Sequence, residues 1–295
     1  MKLLGVYKNG NYNVMLFDDG TKVRKTNENK FIATFPECID MKITNNCDMN
    51  CPYCHEASNN EGEHGNILNV RFLNTLKPYT ELAIGGGNPL SHPDLLEFLE
   101  ILKEKNIIAN MTVNQKHFEE NEKEIYYLVK EGLIKGLGIS LINPTEDFLE
   151  KVKKYSNAVI HVINGIVKLE DLQKMYSKNL KILILGYKQF RKGKDYYSFE
   201  VKLKKSQIYT HLQEIIEHFK VVSFDNLAIE QLEVKRLMTE EEWNDFYMGD
   251  DGQFTMYIDM VNNEFAKSSV SEKRYKMLDN IEDMFKIVKE EANDK

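Results

Sequence analysis

Residues 43–58 read ITNNCDMNCPYCHEAS and contain three of the four cysteines of the chain. Cys47, Cys51 and Cys54 have the spacing C-x3-C-x2-C and directly follow an apolar segment, residues 38–43. Three thiolates on one short loop can ligate three irons of a cubane 4Fe–4S cluster, which leaves the fourth iron without a protein ligand. A metal position that the protein leaves open is where chemistry can occur. The loop therefore predicts a cluster with one open iron.

Other kinds of cysteine site fit this spacing less well. A zinc knuckle usually brings two cysteine pairs, or two cysteines and two histidines, and a histidine directly after the last cysteine (His55) is an uncommon zinc spacing. A ferredoxin cluster takes four cysteines, and here only Cys38 could complete such a set. A disulfide is not expected without a secretory signal. A non-catalytic iron–sulfur or zinc-binding protein stays the alternative.

A glycine-rich segment follows the cysteine loop. Residues 82–90 read LAIGGGNPL, an apolar strand that runs into three glycines, a polar residue and a proline. Glycines after a strand allow backbone groups to approach a ligand closely. Ser91 or Asp94 can cap the helix that follows, and Pro93 is tolerated at its start. The segment alone indicates only a turn or a ligand loop.

Together the two motifs resemble those of the radical S-adenosylmethionine (SAM) superfamily. The cysteine loop matches the CxxxCxΦC motif, with Tyr53 at the aromatic position, and residues 86–90 (GGNPL) match the GGEP-type motif. One position departs from the family, because Asn88 replaces the acidic residue of the segment that receives the SAM amino group. An amide carbonyl still accepts an N–H bond but gives up a charge-assisted one. The resemblance covers residues 38–225.

The resemblance implies a cofactor set and a chemistry. One 4Fe–4S cluster is ligated by Cys47, Cys51 and Cys54, and a one-electron donor such as flavodoxin or ferredoxin reduces it. Reductive cleavage of SAM then gives methionine and a 5′-deoxyadenosyl radical that abstracts hydrogen from substrate. The substrate is left open among a peptide, a nucleoside or nucleotide, and a partner enzyme. No cysteine follows Cys54, so we expect a single cluster, which argues against the multi-cluster peptide-maturing subgroup.

Strands and helices alternate through the middle of the chain, which favours the α/β class with a parallel sheet. The resemblance implies that six such units form a partial (β/α)6 barrel like that of a TIM barrel. The predicted strands are Ile39–Ile43, Glu81–Ile84, Ile107–Val113, Gly136–Leu141, Ala158–Ile163 and Leu180–Leu185. The predicted helices are Pro93–Lys105, Glu122–Glu131, Pro144–Tyr155 and Leu169–Tyr176.

Polar residues at the C-terminal ends of these strands are candidates for binding SAM, since sites on such barrels form there. By analogy with the family, Thr112, Asn114, Ser140 and Asn164 join Tyr53, Gly86, Gly87 and Asn88 as the expected SAM-binding residues. Each polar residue could instead be an ordinary cap or turn residue. His161 could point into the barrel, although a histidine satisfied in the core or at the surface is the simpler interpretation.

Two segments flank this core. Residues 1–30 are expected to form a small N-terminal β-hairpin unit that covers an edge of the barrel, or else a recognition arm. The radical SAM core is expected at 31–225, and an α+β extension, capping or substrate-side, at 226–295. Within the extension we expect a strand at 253–259 and an amphipathic helix at 271–291.

Two polar segments lie near the predicted site. Residues 55–66 leave the last cluster cysteine and are expected to form a solvated surface loop, with a substrate lid as the alternative. Residues 190–194 (FRKGK) bring cations that could meet an anionic substrate, although a solvated turn is the simpler interpretation.

Composition fits a globular protein. Of the 295 residues, 42% are hydrophobic and 29% charged, as in ordinary soluble domains. The net charge of −7 argues against a broad nucleic-acid surface. No apolar run approaches the ~18 residues of a membrane span. We therefore expect no membrane partner, and free cysteines for an oxygen-sensitive cluster predict a cytoplasmic, reducing location.

Overall fold

The computed structural model describes the backbone of residues 1–293 and the side chains of residues 1–292. The chain begins with a three-stranded antiparallel sheet, β1 (Leu3–Asn9), β2 (Tyr12–Phe17) and β3 (Lys22–Lys25), so a third strand joins the predicted hairpin. Lys22 of β3 pairs with Glu37 at 3.3 Å and with Glu81 at 2.5 Å. These ion pairs attach the small sheet to the N-terminal ends of the first two core strands.

The body of the protein is one ten-stranded sheet, in the order β10-β9-β8-β7-β6-β5-β4-β11-β12-β13. Every pair from β10 to β11 is parallel, and β12 and β13 add antiparallel. Its strands are β4 (Cys38–Thr44), β5 (Glu81–Gly86), β6 (Ile108–Asn114), β7 (Gly136–Ser140), β8 (Ala158–Ile163), β9 (Lys181–Leu185), β10 (Val221–Phe224), β11 (Thr255–Asp259), β12 (Glu264–Ala266) and β13 (Tyr275–Lys276).

Helices follow most strands, as the parallel connections require. The first group is α1 (Leu95–Glu104), α2 (Gln115–Glu120), α3 (Glu122–Lys130), α4 (Glu146–Val152), α5 (Leu169–Met175) and α6 (Lys192–Tyr196). The second is α7 (Phe199–Thr210), α8 (Leu212–His218), α9 (Asn226–Leu232), α10 (Glu240–Phe246) and α11 (Ile281–Asn293). None of the helices within residues 1–293 combines the length and the apolar character needed to cross a membrane.

Side chains that alternate along the strands place the hydrophobic core on one face of the sheet and a cavity on the other. In β6, Ala109, Met111 and Val113 are buried in the hydrophobic core, whereas the residues between them are partly exposed. Successive side chains of a strand point to opposite faces, so Thr112 and Asn114 belong to the other face. That face carries small and polar residues at the C-terminal strand ends, which leaves room for a ligand.

The α/β class and the mostly parallel sheet are confirmed, and every predicted core strand is present. Barrel closure stays a prediction, because β10 and β13 are the two edges of the sheet in the described part of the chain. The boundary between the predicted core (31–225) and the predicted extension (226–295) also stays a prediction. Strand β11, which lies in the predicted extension, continues the core sheet beside β4. The predicted helix at 271–291 is wrong in its first half: helix α11 begins at Ile281, and residues 271–280 contain β13.

Candidate metal centre and cofactor cavity

The backbone that leads into the cysteine loop is held from two sides. On one side, the Gly87 N–H donates to the Thr44 carbonyl at 2.8 Å, and the Asn88 N–H donates to the Asn46 carbonyl at 2.7 Å. On the other, the Cys47 N–H donates to the Asn59 carbonyl at 2.7 Å. The two sequence motifs therefore form one hydrogen-bonded unit, completed by the chain that returns after the last cysteine.

Glycine is required where these backbones meet. A Cβ atom on Gly86 would lie 2.4 Å from the Thr44 oxygen, and one on Gly87 would lie 2.2 Å from the Asn46 oxygen. Gly86 also has φ +110°, a conformation that side chains rarely adopt. Gly62 approaches from the returning chain, where a Cβ would lie 2.1 Å from the Asn45 oxygen.

The three loop cysteines suit a thiolate-ligated cluster. All are free thiols, and all line one cavity. Burial raises the pKa of Cys47 and of Cys51, while backbone N–H groups of Met49 and Asn50 bond the Cys47 sulfur and act in the opposite direction. Such N–H bonds to sulfur are a usual feature of iron–sulfur sites. Iron binding would supply the remaining drive to deprotonate the thiols.

Cys38 cannot complete a four-thiolate set. It is the first residue of β4, whereas the loop leaves the other end of that strand after Thr44. A strand rises about 3.3 Å per residue, which places the two ends about 20 Å apart. The donor set therefore fits a cluster with three protein ligands and one open iron.

A second group of possible metal-ligating side chains lies beside the cysteine loop. Ligand atoms of Cys47, Asp48 and His117 all lie within 4.8 Å of one another. The Asp48 carboxylate is already engaged, because it accepts from Lys116 at 2.7 Å and pairs with His117 at 2.5 Å. These two bonds hold the pKa of Asp48 below its usual range, at about 2. The pairing fastens α2 to the cysteine loop.

The cavity holds about 770 Å³ and lies at the C-terminal ends of β4 to β9. Most predicted site residues line it: Cys47, Cys51, Cys54, Tyr53, Gly86, Gly87, Thr112, Asn114 and Ser140. Tyr53 packs edge-on against Tyr196, with ring centroids 5.7 Å apart. Burial raises the pKa of Tyr53 to about 12. The structure thus gathers these residues around one ligand-sized space, and their contacts with SAM stay a prediction.

Asn88 is absent from the cavity lining. Its Oδ1 atom accepts the Leu90 N–H at 3.2 Å and caps the short 3₁₀ turn at Pro89–Ser91. An amide oxygen has two lone pairs, so one remains for a further donor. The glycine-rich segment lies beside the cysteine loop, but the Asn88 side chain already forms a structural hydrogen bond.

Asn164 is also absent from the cavity lining. It is fully buried after β8, where its Nδ2 atom donates to Gln231 Oε1 at 3.1 Å. Its Oδ1 atom has no hydrogen-bond partner in the part of the chain that the structure describes. Gln231 in turn bonds the backbone of Tyr187. Asn164 therefore joins β8 to α9.

His161 faces the cavity, as its position in β8 allowed. Its ring lies against Gly138, where a Cβ atom would be 2.4 Å from His161 Cε1. Burial lowers the pKa of His161 to about 4, so the ring is neutral at pH 7. His161 and Thr112 also line a second cavity of about 670 Å³, which the N-terminal sheet covers.

A buried ion network supports the cysteine loop, and sequence reasoning missed it. Lys42 is 1% exposed and pairs with Glu56 at 3.0 Å and with Asp259 at 3.1 Å. Glu56 also accepts from Tyr257 at 3.0 Å and from Arg191 at 3.2 Å. The signal was present in the sequence, since Lys42 lies between Met41 and Ile43 in a predicted core strand, and a buried lysine needs an anion.

Both polar segments, residues 55–66 and 190–194, contact the cysteine loop. Residues 55–66 double back along residues 43–47; Glu56 and Ser58 are buried, whereas residues 60, 61, 63, 64 and 66 are exposed, so the expected surface loop is solvated only in its outer part. Within residues 190–194, Arg191 binds Glu56 and Lys192 donates to Asn50 Oδ1 at 2.7 Å. These cations contact the loop, while Lys194 is exposed and residues 192–196 form α6, so the segment is solvated only in part.

Known proteins resemble this chain in sequence. The family model described as "Radical SAM superfamily" matches residues 41–188. A probable GTP 3′,8-cyclase of Methanocaldococcus jannaschii is 29% identical over 143 residues, 45% of each chain. A PqqA peptide cyclase of Gluconobacter oxydans is 23% identical over 94 residues, 30% of this chain and 26% of the relative. The chain thus matches less than half the length of these curated relatives.

Solved structures share the fold. Streptococcus suis SuiB bound to S-adenosylmethionine gives a TM-score of 0.57 at 15% identity, over 83% of this chain and 64% of SuiB. SuiB bound to the precursor peptide SuiA gives 0.54 over 83% and 63%. At this identity the likeness concerns the fold alone.

Proposed function

Because the chain belongs to the radical SAM superfamily, whose members use a 4Fe–4S cluster and SAM, we propose that it reductively cleaves SAM to initiate radical chemistry on a substrate. When bound, the cluster supplies one electron to SAM, which yields methionine and a 5′-deoxyadenosyl radical able to abstract hydrogen. Hydrogen abstraction converts a C–H bond of the substrate into a reactive carbon centre.

One observation carries the proposal: three free thiols and the glycine segment meet at the same end of one cavity of about 770 Å³. Cys38, the one further cysteine of the chain, is about 20 Å away along β4. With Cys38 excluded, the three thiols would leave one iron of a bound cluster without a protein ligand. A closed four-thiolate site would have no such position.

Different residues of this chain would bind the cluster and line the SAM cavity. Cys47, Cys51 and Cys54 would hold the cluster. Gly86 and Gly87 let their backbone pack directly against the loop, where a Cβ atom would clash with Thr44 and Asn46. Thr112 and Ser140 offer hydroxyl groups to the cavity, and hydroxyls both donate and accept.

Anaerobic reconstitution tests the proposal. The wild-type protein should bind about four irons, and its spectrum should change when SAM reaches the open iron. With dithionite and SAM, the products should be 5′-deoxyadenosine and methionine, measured by chromatography with mass spectrometry. A loaded cluster that binds SAM and yields methylthioadenosine, or no cleavage product, would contradict the adenosyl-radical chemistry. A protein that takes up one zinc and no iron would favour the zinc-binding alternative.

The names of the relatives indicate two substrate classes. Their names refer to a GTP cyclase, a PqqA peptide cyclase and a complex with a precursor peptide. We therefore propose a nucleotide or a peptide as substrate of this chain, with flavodoxin or ferredoxin as electron donor in a cytoplasmic setting. Deuterium that moves from one substrate position into 5′-deoxyadenosine would identify both the substrate and the site of abstraction.

A further inference from the structure

Lys42 touches three parts of the chain that meet beside the candidate metal centre. Its stem packs against the glycine-rich segment, where a Cβ atom on Gly86 would lie 2.9 Å from Lys42 Cγ. Its Nζ atom pairs with Glu56, which follows shortly after Cys54, at 3.0 Å and with Asp259, the last residue of β11, at 3.1 Å. One buried side chain therefore joins the glycine-rich segment, the chain that leaves the cysteine loop and the C-terminal part of the protein.

Glu56 is the acceptor on which this network converges. Besides Lys42, its carboxylate accepts from Arg191 at 3.2 Å and from the Tyr257 hydroxyl at 3.0 Å. With Asp259 the network holds two cations and two anions, so its buried charge is balanced. A buried carboxylate paired in this way is held in one orientation, because moving it would leave the other charges unpaired.

The chain turns sharply directly after Glu56. Ala57 has φ +56°, and its N–H donates to the Cys54 carbonyl at 3.1 Å. This left-handed conformation is unfavourable for a residue with a Cβ atom, and such strain persists only where the surrounding structure imposes it. The bonds to Glu56 act on the residue next to the strained one. Their loss would let the turn relax and move Cys54 relative to the glycine-rich segment.

We propose that Lys42 is a positioning residue for SAM cleavage. By joining Glu56 to Asp259, it fixes the turn after Cys54, and with it the cysteine loop, relative to the glycine-rich segment. The C-terminal part of the chain thereby completes the site, because β11 supplies both Asp259 and Tyr257. This inference rests on the proposed function, because it takes the cysteine loop as the cluster site and the adjoining cavity as the SAM site.

A network of the same composition at the other end of β4 provides a matched control. Glu37, which directly precedes β4, accepts from Arg24 at 2.8 Å and from the Tyr12 hydroxyl at 2.6 Å, and it pairs with Lys22 at 3.3 Å. Lys22 pairs in turn with Glu81 at 2.5 Å. Both networks thus consist of a lysine, an arginine, a tyrosine and two carboxylates. They differ in place, since the network around Glu37 lies at the end of β4 away from the cysteine loop.

The main test compares two double variants after anaerobic reconstitution. Lys42→Met with Asp259→Asn, and Lys22→Met with Glu81→Gln, each remove one lysine and one carboxylate, so the buried charge stays balanced. The Lys42 variant should keep about four irons. Its rate of 5′-deoxyadenosine formation at saturating SAM should fall at least tenfold, because small displacements of reacting groups slow chemistry strongly. The Lys22 variant should keep the wild-type rate.

Two single variants make a milder change that leaves the charges in place. Tyr257→Phe removes one hydroxyl bond to Glu56, and Tyr12→Phe removes the equivalent bond to Glu37. SAM cleavage should fall about threefold in Tyr257→Phe, as expected for one lost hydrogen bond, and stay unchanged in Tyr12→Phe. Amide hydrogen exchange of residues 54–58, measured on the protein without iron, should rise in Tyr257→Phe and in the Lys42 variant but in neither control.

Three results would overturn the proposal. The Lys42 variant and Tyr257→Phe could cleave SAM at the wild-type rate. Activity could fall only in proportion to iron content, which would mean that the network retains the cluster without positioning it. The Lys42 and Lys22 variants could lose activity equally, which would indicate a general loss of stability.

Two further outcomes are kept apart by the same measurements. If the Lys42 variant does not fold, the comparison of Tyr257→Phe with Tyr12→Phe decides. A wild type that loads the cluster but does not cleave SAM would contradict the proposed function, and the exchange comparison would still report whether Lys42 holds the loop.

Discussion

The Nε2 atom of His117 lies 2.5 Å from Oδ1 of Asp48, the residue that follows Cys47. His117 is only 3% exposed, and its Nδ1 atom has no partner among the residues that the structure describes. Lys116 completes the contact from the exposed side. A buried imidazole on α2 thus fixes the start of the cysteine loop.

His117→Ala should destabilise the protein by about 2–3 kcal/mol, because it removes a hydrogen bond to a charged group and leaves a cavity. Amide hydrogen exchange in residues 47–54 should also rise. Lys116→Gln is the matched control: its ion pair with Asp48 is exposed, so we expect a loss below about 1 kcal/mol. Equal losses in urea unfolding would show that burial of His117 contributes nothing.

The cysteine variants should divide into two groups. Cys47→Ala, Cys51→Ala or Cys54→Ala should abolish the cluster signal and SAM cleavage, because three thiolates are the smallest set that holds the cluster. Cys38→Ala should keep both, since Cys38 lies at the other end of β4. Iron content and electron paramagnetic resonance measure the outcome. Loss of the cluster in Cys38→Ala would mean a closed four-thiolate site.

Asn88→Ala should have two separable effects. Loss of the cap on the Leu90 N–H should cost about 1 kcal/mol of unfolding free energy. If the second lone pair receives the SAM amino group, SAM binding should weaken by a further 1–2 kcal/mol, on the order of ten-fold. Asn88→Asp keeps the cap and should bind SAM at least as well as the wild type. Unchanged SAM affinity in Asn88→Ala would mean that backbone groups alone bind the SAM amino group.

His161 should give the protein a specific sensitivity to acid. Burial lowers its pKa to about 4 in the folded protein, against 6.5 when unfolded. Between these values the unfolded chain binds a proton that the folded protein does not, so stability falls as the pH drops from 6.5 towards 4. For this partly exposed ring we expect a loss of about 1–2 kcal/mol at pH 5.

The variant His161→Asn should lack this contribution. The difference in unfolding free energy between wild type and variant, measured by urea titration at pH 7.5 and at pH 5, isolates the imidazole from all other titrating groups. A difference that does not change with pH would mean that the ring is solvated and titrates normally in the folded state.

Local sequence signals predicted the sheet and the two motifs well, for physical reasons. The core strands are apolar runs that end at glycine or polar residues, and the predicted strand at residues 158–163 matches β8. Side chains at the strand ends meet at one edge of a parallel sheet, so Thr112, Asn114 and Ser140 could be placed at the cavity without knowledge of their neighbours.

Contacts between distant segments were not predictable in this way. Lys42 pairs with Asp259, 217 residues later in the chain, and no local pattern encodes that distance. Asn164 followed the family pattern but turns to Gln231, a residue of the C-terminal part. Helix α11 was predicted too early because residues 271–280 have helix-compatible composition, yet Tyr275 pairs with Phe265 as an edge strand.

The hydrogen bonds from Gly87 to Thr44 and from Asn88 to Asn46 have a consequence for maturation. They join parts of the chain more than forty residues apart, so the cysteine loop acquires its shape only after β5 has docked beside β4. Docking of these two strands is therefore a precondition for bringing the three thiols together, and a substitution that loosens β5 from β4 would also impair assembly of the cofactor.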